Sequence, residues 1–255
     1  MQNLKITIIQ PDIIWENSRA NLDKYLELID KTESTDVIIL PEMFTTGFSM
    51  NPKNLSETMD GISVSWMKKV AKEKNAAVVG SLIIEEGNRF YNRALWILPN
   101  GEIEKYDKRH LFSMGQETDH FSAGTEKIIV EYKGWRFCPL ICYDLRFPVW
   151  SRNNNEYDVL IYLANWPAAR HLVWKNLLTA RAIENQSYCI GVNRTGTDGT
   201  GLNYAGDSVL VSPKGFTEYL GDKETIKTFE ISYSELQTFR NNFPVLNDGD
   251  NFRIV

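Results

Sequence analysis

Short apolar runs of strand length alternate with amphipathic helical segments along this chain, and this alternation most constrains its fold. The runs LKITIIQ (4–10), DVIIL (36–40) and YDVLIYLAN (157–165) are rich in β-branched residues and are followed by Pro, Pro and Trp-Pro. Apolar residues recur at helical spacing in 18–32 and 171–186. A chain that alternates in this way favours an α/β fold with a mixed sheet.

The finer pattern predicts hairpins and one helix face. The turns PNG (99–101) and KG (133–134) each join two strand-like runs, and DSVLVSPKG (207–215) is expected to form a hairpin with TIKTFEIS (225–232). The polar segment 195–203 is interpreted as a flexible loop. The buried face of the 171–186 helix is predicted to carry four side chains, namely Leu172, Leu177, Leu178 and Ile183.

Composition limits the partners and the organisation. No linker or composition shift divides the 255 residues, so one domain over 1–255 is expected. A net charge of −5 without a Lys/Arg cluster argues against nucleic acid, and the apolar runs are too short to span a membrane. Three cysteines without framework spacing, and no signal-peptide pattern, favour a cytoplasmic protein. Without CxxC or grouped histidines, neither a metal nor another cofactor is expected.

The segment PLICYDLRFP (139–148) contains a candidate nucleophile. Cys142 ends an apolar run at the point where charged and aromatic residues begin, whereas Cys138 and Cys189 lie inside apolar strands and are interpreted as core thiols. Histidine is the usual partner of a catalytic cysteine, and the chain offers His110, His120 and His171. A cysteine–histidine hydrolase is therefore one hypothesis.

Two further reactive side chains follow strand-like runs. Glu42 comes directly after DVIIL and Pro41, and Lys108 ends the run GEIEKYDK. Because strand ends in α/β folds lead into active-site loops, Glu42, Lys108 and Cys142 form an alternative catalytic set assembled from distant segments. In such a set Glu42 would take the thiol proton, and the ammonium of Lys108 would favour the thiolate.

Three segments resemble the signature motifs of the nitrilase superfamily of carbon–nitrogen hydrolases: LPEMFTTGF (40–48), YDKRHLF (106–112) and LICYDLRFP (140–148). The resemblance extends through YNRALWILPNGEIEKYDK, ANWP and TARAIENQ, and is strongest to the bacterial omega-amidases. It implies a Glu–Lys–Cys triad at Glu42, Lys108 and Cys142. It also implies a second glutamate at Glu117, seven positions ahead of Gly124.

The resemblance also implies an architecture and a reaction. The fold would be a four-layer α-β-β-α sandwich with two mixed β-sheets. Family members usually associate through the face that carries the helix after the cysteine, so at least a homodimer is expected. Omega-amidases hydrolyse the terminal amide of short 2-oxo dicarboxylic acid monoamides, such as 2-oxoglutaramate and 2-oxosuccinamate, through a cysteine thioester. A small-molecule amide is therefore the expected partner.

Candidate substrate-binding residues follow from this chemistry. The backbone N–H of Tyr143 would stabilise the oxyanion, and Arg146 would bind the substrate carboxylate unless it pairs with Asp144 or Glu184. Asn165 and Trp166 would line the pocket. Two other arginines near predicted strand ends are further candidates for the carboxylate, although structural roles are favoured for both, namely Arg170 and Arg194.

Several functions remain open at this point. Nitrile hydrolysis and N-carbamoyl hydrolysis use the same triad on other small substrates. A cysteine–histidine hydrolase or acyltransferase would instead need His110 or His120 and not Glu42. A catalytically idle binding protein would share the fold, but the intact triad argues against it.

Overall fold

The computed structural model describes residues 2–32 and 34–254. Most of its strands belong to two six-stranded sheets. In the first sheet three parallel central strands are flanked by antiparallel neighbours. From edge to edge, its strands are β14 (Thr225–Ile231), β1 (Leu4–Gln10), β2 (Val37–Ile39), β3 (Ala77–Glu86), β4 (Arg89–Ile97) and β5 (Ile103–Asp107).

The second sheet repeats this arrangement, with three parallel central strands and antiparallel neighbours on both sides. A separate two-stranded hairpin is formed by β10 (Thr195–Thr197) and β11 (Asn203–Ala205). The strands of the second sheet are, from edge to edge, β13 (Thr217–Tyr219), β12 (Val209–Val211), β9 (Tyr188–Val192), β8 (Val159–Leu163), β7 (Trp135–Ile141) and β6 (Val130–Tyr132).

Seven α-helices connect or cover the strands of the described ranges. None of them combines the length and the apolar character needed to cross a bilayer. Short 3₁₀ turns occupy Ser113–Gly115, Cys142–Arg146, Ala168–Arg170 and Val245–Asp248. The helices are α1 (Ser18–Asp30), α2 (Pro52–Leu55), α3 (Ile62–Lys74), α4 (Glu117–His120), α5 (Pro148–Ser151), α6 (His171–Glu184) and α7 (Tyr233–Asn242).

Each sheet is buried on both faces, which creates four layers. In β2, Val37 and Ile39 belong to the core between the sheets, whereas Ile38 belongs to the core under α1 and α3. The rings of Trp96 in β4 and Phe137 in β7 lie 4.7 Å apart and join the two sheets. Helix α6 covers the outer face of the second sheet. The predicted α-β-β-α sandwich with two mixed sheets is therefore confirmed.

The PNG and KG turns are confirmed, but the hairpin predicted for 207–215 and 225–232 is wrong. Strand β12 pairs with β9 and β13 in the second sheet, while β14 pairs with β1 in the first. Apolar alternation shows that a strand has a buried face but does not identify its partner. The segment between β12 and β14 contains β13, which supplies the hairpin instead.

The helix face predicted for α6 is only partly right. Leu178 is buried and Leu177 partly buried, but Leu172 and Ile183 are 64% and 50% exposed. The buried stripe instead includes Trp174, Leu178 and Ala182, spaced four residues apart. Trp174 packs closely against β9, where a side chain at Gly191 would clash with it. The large indole therefore sets the orientation of the helix.

The segment 195–203 is also more ordered than predicted. It forms β10, the turn and the start of β11. Asp198 Oδ1 accepts hydrogen bonds from the backbone N–H groups of Thr200 and Leu202, and Asp198 Oδ2 accepts one from the hydroxyl of Tyr204. A single carboxylate therefore organises the hairpin.

Candidate active site

Strand ends from both sheets bring the candidate catalytic residues together. Glu42 follows β2, Lys108 follows β5, Cys142 follows β7, and Glu117 begins α4. The side chains of Glu42, Lys108 and Glu117 are fully buried, whereas Cys142 is partly exposed in a cavity. The four residues that the sequence separates by up to 100 positions thus form one cluster.

Lys108 lies between two carboxylates. Its Nζ donates to Glu42 Oε1 at 2.9 Å and to Glu117 Oε1 and Oε2 at 3.0 and 2.9 Å. Burial alone would lower the pKa of Lys108, but the charges of Glu117 and Glu42 outweigh burial and raise it above its ordinary value. Lys108 is therefore an ammonium at neutral pH.

The carboxylates receive further donors from the backbone. Glu117 Oε2 accepts the N–H of Phe112 at 2.6 Å, and Glu42 Oε2 accepts the N–H of Asn165 at 2.8 Å. Burial raises the pKa of Glu117, while Lys108 opposes that rise. One ammonium facing two carboxylates leaves the cluster with an excess negative charge when both are ionised.

Sequence analysis missed Asn92, which touches both glutamates. Asn92 Nδ2 lies 2.8 Å from Glu42 Oε1 and 3.1 Å from Glu117 Oε1. Asn92 occupies the middle of a buried strand, where a polar side chain needs a partner. A polar residue inside an apolar strand-like run was therefore the signal that the sequence offered for Asn92. That signal does not identify the residues that Asn92 contacts.

Cys142 begins the 3₁₀ turn after β7 and has a positive φ of 43°. Its Sγ lies 3.9 Å from the carbonyl oxygen of Asn165. Burial raises the pKa of the Cys142 thiol, and the charge of Glu42 raises it further, while Lys108 lowers it. Lys108 thus lowers the pKa of the thiol, as predicted, but burial and the charge of Glu42 raise that pKa by more. Cys142 is therefore a thiol in the resting site.

Asp144 connects the Cys142 turn to the segment that carries Lys108. Its Oδ2 accepts the backbone N–H of Ile141 at 3.0 Å and the hydroxyl of Tyr106 at 2.7 Å. Its Oδ1 accepts the backbone N–H of His110 at 3.1 Å and lies 2.7 Å from His110 Nδ1. Asp144 thereby fixes the position of Cys142 relative to Lys108.

The histidines lie outside the cavity that contains Cys142. The Nδ1 atom of His110 is hydrogen-bonded to Asp144, and its ring stacks on Phe147, with 3.8 Å between the ring centroids. His120 and His171 are exposed. This geometry gives no support to a cysteine–histidine pair. Across the described ranges, no group of three or more His, Cys, Asp or Glu side chains is placed to hold a metal ion.

The cavity at Cys142 has a volume of about 370 Å³ and is mainly apolar. It accommodates a short-chain substrate rather than a polymer. The predicted binding residues Tyr143, Arg146, Asn165 and Trp166 all line it. Other lining side chains missed by sequence analysis are mostly aromatic or apolar, namely Trp15, Phe48, Met50, Phe112 and Tyr204.

Arg146 has neither of the structural partners considered from the sequence. The carboxylate of Asp144 accepts the hydrogen bonds from Tyr106, His110 and Ile141 given above. The carboxylate of Glu184 pairs with Arg181 at 2.9 Å. The guanidinium of Arg146 lies 5.2 Å from the ring of Trp166, and no ion pair holds it within residues 2–32 and 34–254. Arg146 is thus free to meet an anion in the cavity.

Arg170 and Arg194 differ from each other. Arg194 is fully buried, where it donates to the carbonyl oxygens of Thr195 and Ile13, as a structural role requires. Arg170 instead lines the cavity, with its guanidinium 5.5 Å from the ring of Phe112. In the part of the chain that the structure describes, Arg170 forms no ion pair, so the structural role predicted for it finds no support.

Comparisons with known proteins agree with this fold and site. The sequence matches the carbon–nitrogen hydrolase family over residues 5–241. It is 46% identical to the omega-amidase YafV of Escherichia coli K12, with 100% of both chains covered. It is 37% identical to the 2-oxoglutaramate amidase of Bacillus subtilis, with 95% of this chain and 96% of that protein covered. The chain therefore belongs to the carbon–nitrogen hydrolase family.

Solved structures show the same architecture. XC1258 of Xanthomonas campestris, a CN-hydrolase superfamily protein with an arsenic adduct in its active site, superposes with a TM-score of 0.97. It is 41% identical, and 100% of both chains is covered. Nit3 of Saccharomyces cerevisiae, at 23% identity and a TM-score of 0.87, shares the fold, with 96% of this chain and 95% of that chain covered.

Replacing Lys108 by Met should destabilise the protein in a pH-dependent way. Two carboxylates would stay buried without their ammonium, which costs about 3–5 kcal/mol at pH 7.5. The pKa of Glu117, already raised by burial, would rise further, so protonation restores stability as the pH falls. Chemical denaturation at pH 7.5 and pH 5.5 measures this difference.

Lys105→Met is the matched control for this prediction. Lys105 lies on β5, is 48% exposed and pairs with the half-exposed Glu86 at 3.2 Å. Its loss should change the free energy of unfolding by less than about 0.5 kcal/mol at either pH. A Lys108→Met protein that is as stable as the wild type at pH 7.5 would contradict the charge balance described for the cluster.

Proposed function

We propose that this hydrolase cleaves the terminal amide of short 2-oxo dicarboxylic acid monoamides, such as 2-oxoglutaramate and 2-oxosuccinamate, to the acid and ammonia. The observation that carries the proposal is a partly exposed thiol beside a buried carboxylate–lysine cluster, in a cavity that is also lined by two guanidinium groups without an ion pair among the described residues. The names of the E. coli and B. subtilis relatives support the same substrate class.

The first half of the proposed reaction forms a thioester. Glu42 takes the proton of Cys142 as Sγ attacks the amide carbon. Lys108, which lines the cavity, and the backbone N–H of Tyr143 stabilise the resulting oxyanion, each such donor being worth about 3–4 kcal/mol. The C–N bond then breaks, and the proton held by Glu42 leaves with the nitrogen as ammonia.

The second half regenerates the thiol. Water gives a proton to Glu42 and attacks the thioester carbon, and the C–S bond breaks. The proton returns from Glu42 to Cys142 as the acid product forms. Glu117 keeps Lys108 in place throughout, because it accepts from Nζ with both of its carboxylate oxygens.

Arg146 and Arg170 are proposed to bind the substrate carboxylate. A carboxylate that leaves water needs a charged partner, and both guanidinium groups line the cavity without an ion pair in the described residues. Trp166 and Phe112 lie against these groups and would hold them in place. Asn165 and Trp166 would form the wall along the substrate.

Among the alternative substrates, a simple nitrile or an N-carbamoyl amine carries no carboxylate to pair with Arg146 and Arg170, whereas a 2-oxo dicarboxylic acid monoamide does.

One domain over residues 1–255 is proposed, consistent with the pairing of β1 and β14 near the two ends of the chain. The three free cysteines support a reducing compartment, and hence the cytoplasm, as the site of action.

Ammonia release from 2-oxoglutaramate and 2-oxosuccinamate tests the proposed reaction. Wild type should release ammonia, while Cys142→Ala and Glu42→Gln should each lose at least about 10³-fold, because the nucleophile or its base is gone. His120→Ala, a change at an exposed residue, should retain full activity. Activity that survives Glu42→Gln but not His120→Ala would instead support a cysteine–histidine enzyme.

Arg146→Met and Arg170→Met test the carboxylate site. Each should lower kcat/KM for 2-oxoglutaramate about 10–100-fold, the effect of losing one charged hydrogen bond. Hydrolysis of a neutral amide such as butyramide should not fall, because it presents no carboxylate. Arg19→Met is the control, since Arg19 is 75% exposed on α1. An equal loss on both substrates would contradict carboxylate binding.

A homodimer through the outer layer of the second sheet is also proposed. Three apolar side chains of α5 and α6 are exposed there: Val149, Leu172 and Ile183 are 56%, 64% and 50% exposed. Such a surface is typical of a subunit contact, and family resemblance favours the same face.

Leu172→Glu should dissociate the dimer, because it places a charge in the centre of an apolar contact. Light scattering after size exclusion should give about twice 29.3 kDa for wild type and 29.3 kDa for Leu172→Glu. Ile62→Glu on α3, which is 54% exposed in the opposite outer layer, should remain dimeric. A monomeric wild type would refute the proposal.

A further inference from the structure

One amide group contacts both carboxylates of the catalytic cluster. Asn92 Nδ2 lies 2.8 Å from Glu42 Oε1 and 3.1 Å from Glu117 Oε1, and the same two oxygens accept from Lys108. Asn92, Glu42 and Glu117 are each fully buried. The amide has two N–H donors, so it can serve both glutamates at once.

The direction of the Asn92 amide is fixed by Ser81 on the neighbouring strand. The backbone N–H of Met43 can only donate, so Ser81 Oγ accepts from it, at 2.8 Å. The hydroxyl hydrogen of Ser81 is then available for Asn92 Oδ1, 2.9 Å away. With its oxygen held by Ser81, Asn92 presents its NH₂ group to the glutamates.

This chain of hydrogen bonds begins and ends at the same turn. Met43 directly follows Glu42 and has a positive φ of 42°. Its N–H orients Ser81, Ser81 orients Asn92, and Asn92 binds the carboxylate of Glu42. The backbone beside the proposed base therefore determines which atoms meet that base.

We propose that Asn92 is a positioning residue that orients and stabilises the carboxylates of Glu42 and Glu117 by donating to both, and that Ser81 acts through it by fixing its orientation. The inference rests on the proposed function, since it assigns how the base of that reaction is kept ready to accept the Cys142 proton. Asn92 itself touches carboxylates and not the reacting thiol.

The charge balance explains why such a residue is needed. The ionisable groups that face the glutamates are Lys108 after β5, Cys142 after β7 and Tyr204 on β11. Of these, only Lys108 carries a positive charge, so one ammonium must compensate two carboxylates. The N–H groups of Asn92 supply the missing stabilisation. Without them, one carboxylate would take up a proton at a higher pH.

The rate at which iodoacetamide alkylates Cys142 between pH 5 and pH 9 tests this inference. Alkylation needs the thiolate, and hence an ionised base to take the thiol proton. In Asn92→Ala the acid limb of the rate profile should move to higher pH by about one unit or more, as expected for the loss of a charged hydrogen bond. At high pH the rate should approach that of wild type.

Ser81→Ala is the gentler second variant, because it removes one oxygen and leaves Asn92 in place. The amide would then turn more freely, so the acid limb should move in the same direction by a smaller amount. Mass spectrometry locates the label, and Cys142→Ala gives the background from Cys138 and Cys189, which are fully buried.

Asn153→Ala is the matched control. Asn153 is also buried, and its Nδ2 donates to the carbonyl oxygens of Tyr157 and Asn185, both at 3.0 Å, away from the cavity. This variant should lose stability yet keep the acid limb of wild type. If Asn92→Ala lowers the alkylation rate equally at every pH, Asn92 contributes packing alone and the inference is overturned.

The two proposals fail in different ways. Alkylation uses no amide, so a shifted limb together with no ammonia release from 2-oxo acid amides would retain the role of Asn92 and reject the substrate. Ammonia release with unshifted limbs in both Asn92→Ala and Ser81→Ala would retain the substrate and reject the role. A shift in Asn92→Ala alone would overturn the part assigned to Ser81.

Discussion

The pairing of one buried ammonium with two buried carboxylates is the interaction on which the rest of the site depends. Charges that leave water are costly unless other dipoles replace the lost hydration. Here the N–H donors come from separate elements: Asn92 from β4, Phe112 from the segment after β5, and Asn165 from the end of β8. Asn165 follows a strand of the second sheet and Glu42 follows a strand of the first, so the cluster is complete only when the two sheets pack against each other.

Two strained turns place the reactive groups at this junction. Met43 and Cys142 both have positive φ values, near 42° and 43°, and they are the fourth residue beyond β2 and the first residue beyond β7. Non-glycine residues adopt this conformation only when the surroundings compensate for it. Ser81 accepts from the N–H of Met43, and Asp144 accepts from the N–H next to Cys142, so each turn is held by one side chain.

The sequence predicted those parts of the fold and site that local chemistry determines. Most strands and helices, and the location of Glu42, Lys108 and Cys142 after strands, follow from short-range patterns. The partner of β14 could not be predicted, because alternation fixes a face and not a neighbour. Asn92 was missed, and a structural role was favoured for Arg170, for a related reason. Asn92 matters because of its contacts across the fold, and Arg170 because it has no ion pair among the described residues. The residues that flank them in the sequence predict neither property.

The distribution of charge in the cavity gives the proposed substrate its orientation. The end near Cys142 carries two carboxylates against one ammonium, while Arg146 and Arg170 also line the cavity without ion pairs in the described residues. A substrate carboxylate would be repelled by Glu42 and Glu117 and attracted to the guanidinium groups, which leaves the uncharged amide for the thiol. Hydrolysis converts that amide into a second carboxylate beside the same glutamates. The charge that selects a monoamide therefore also favours release of the diacid.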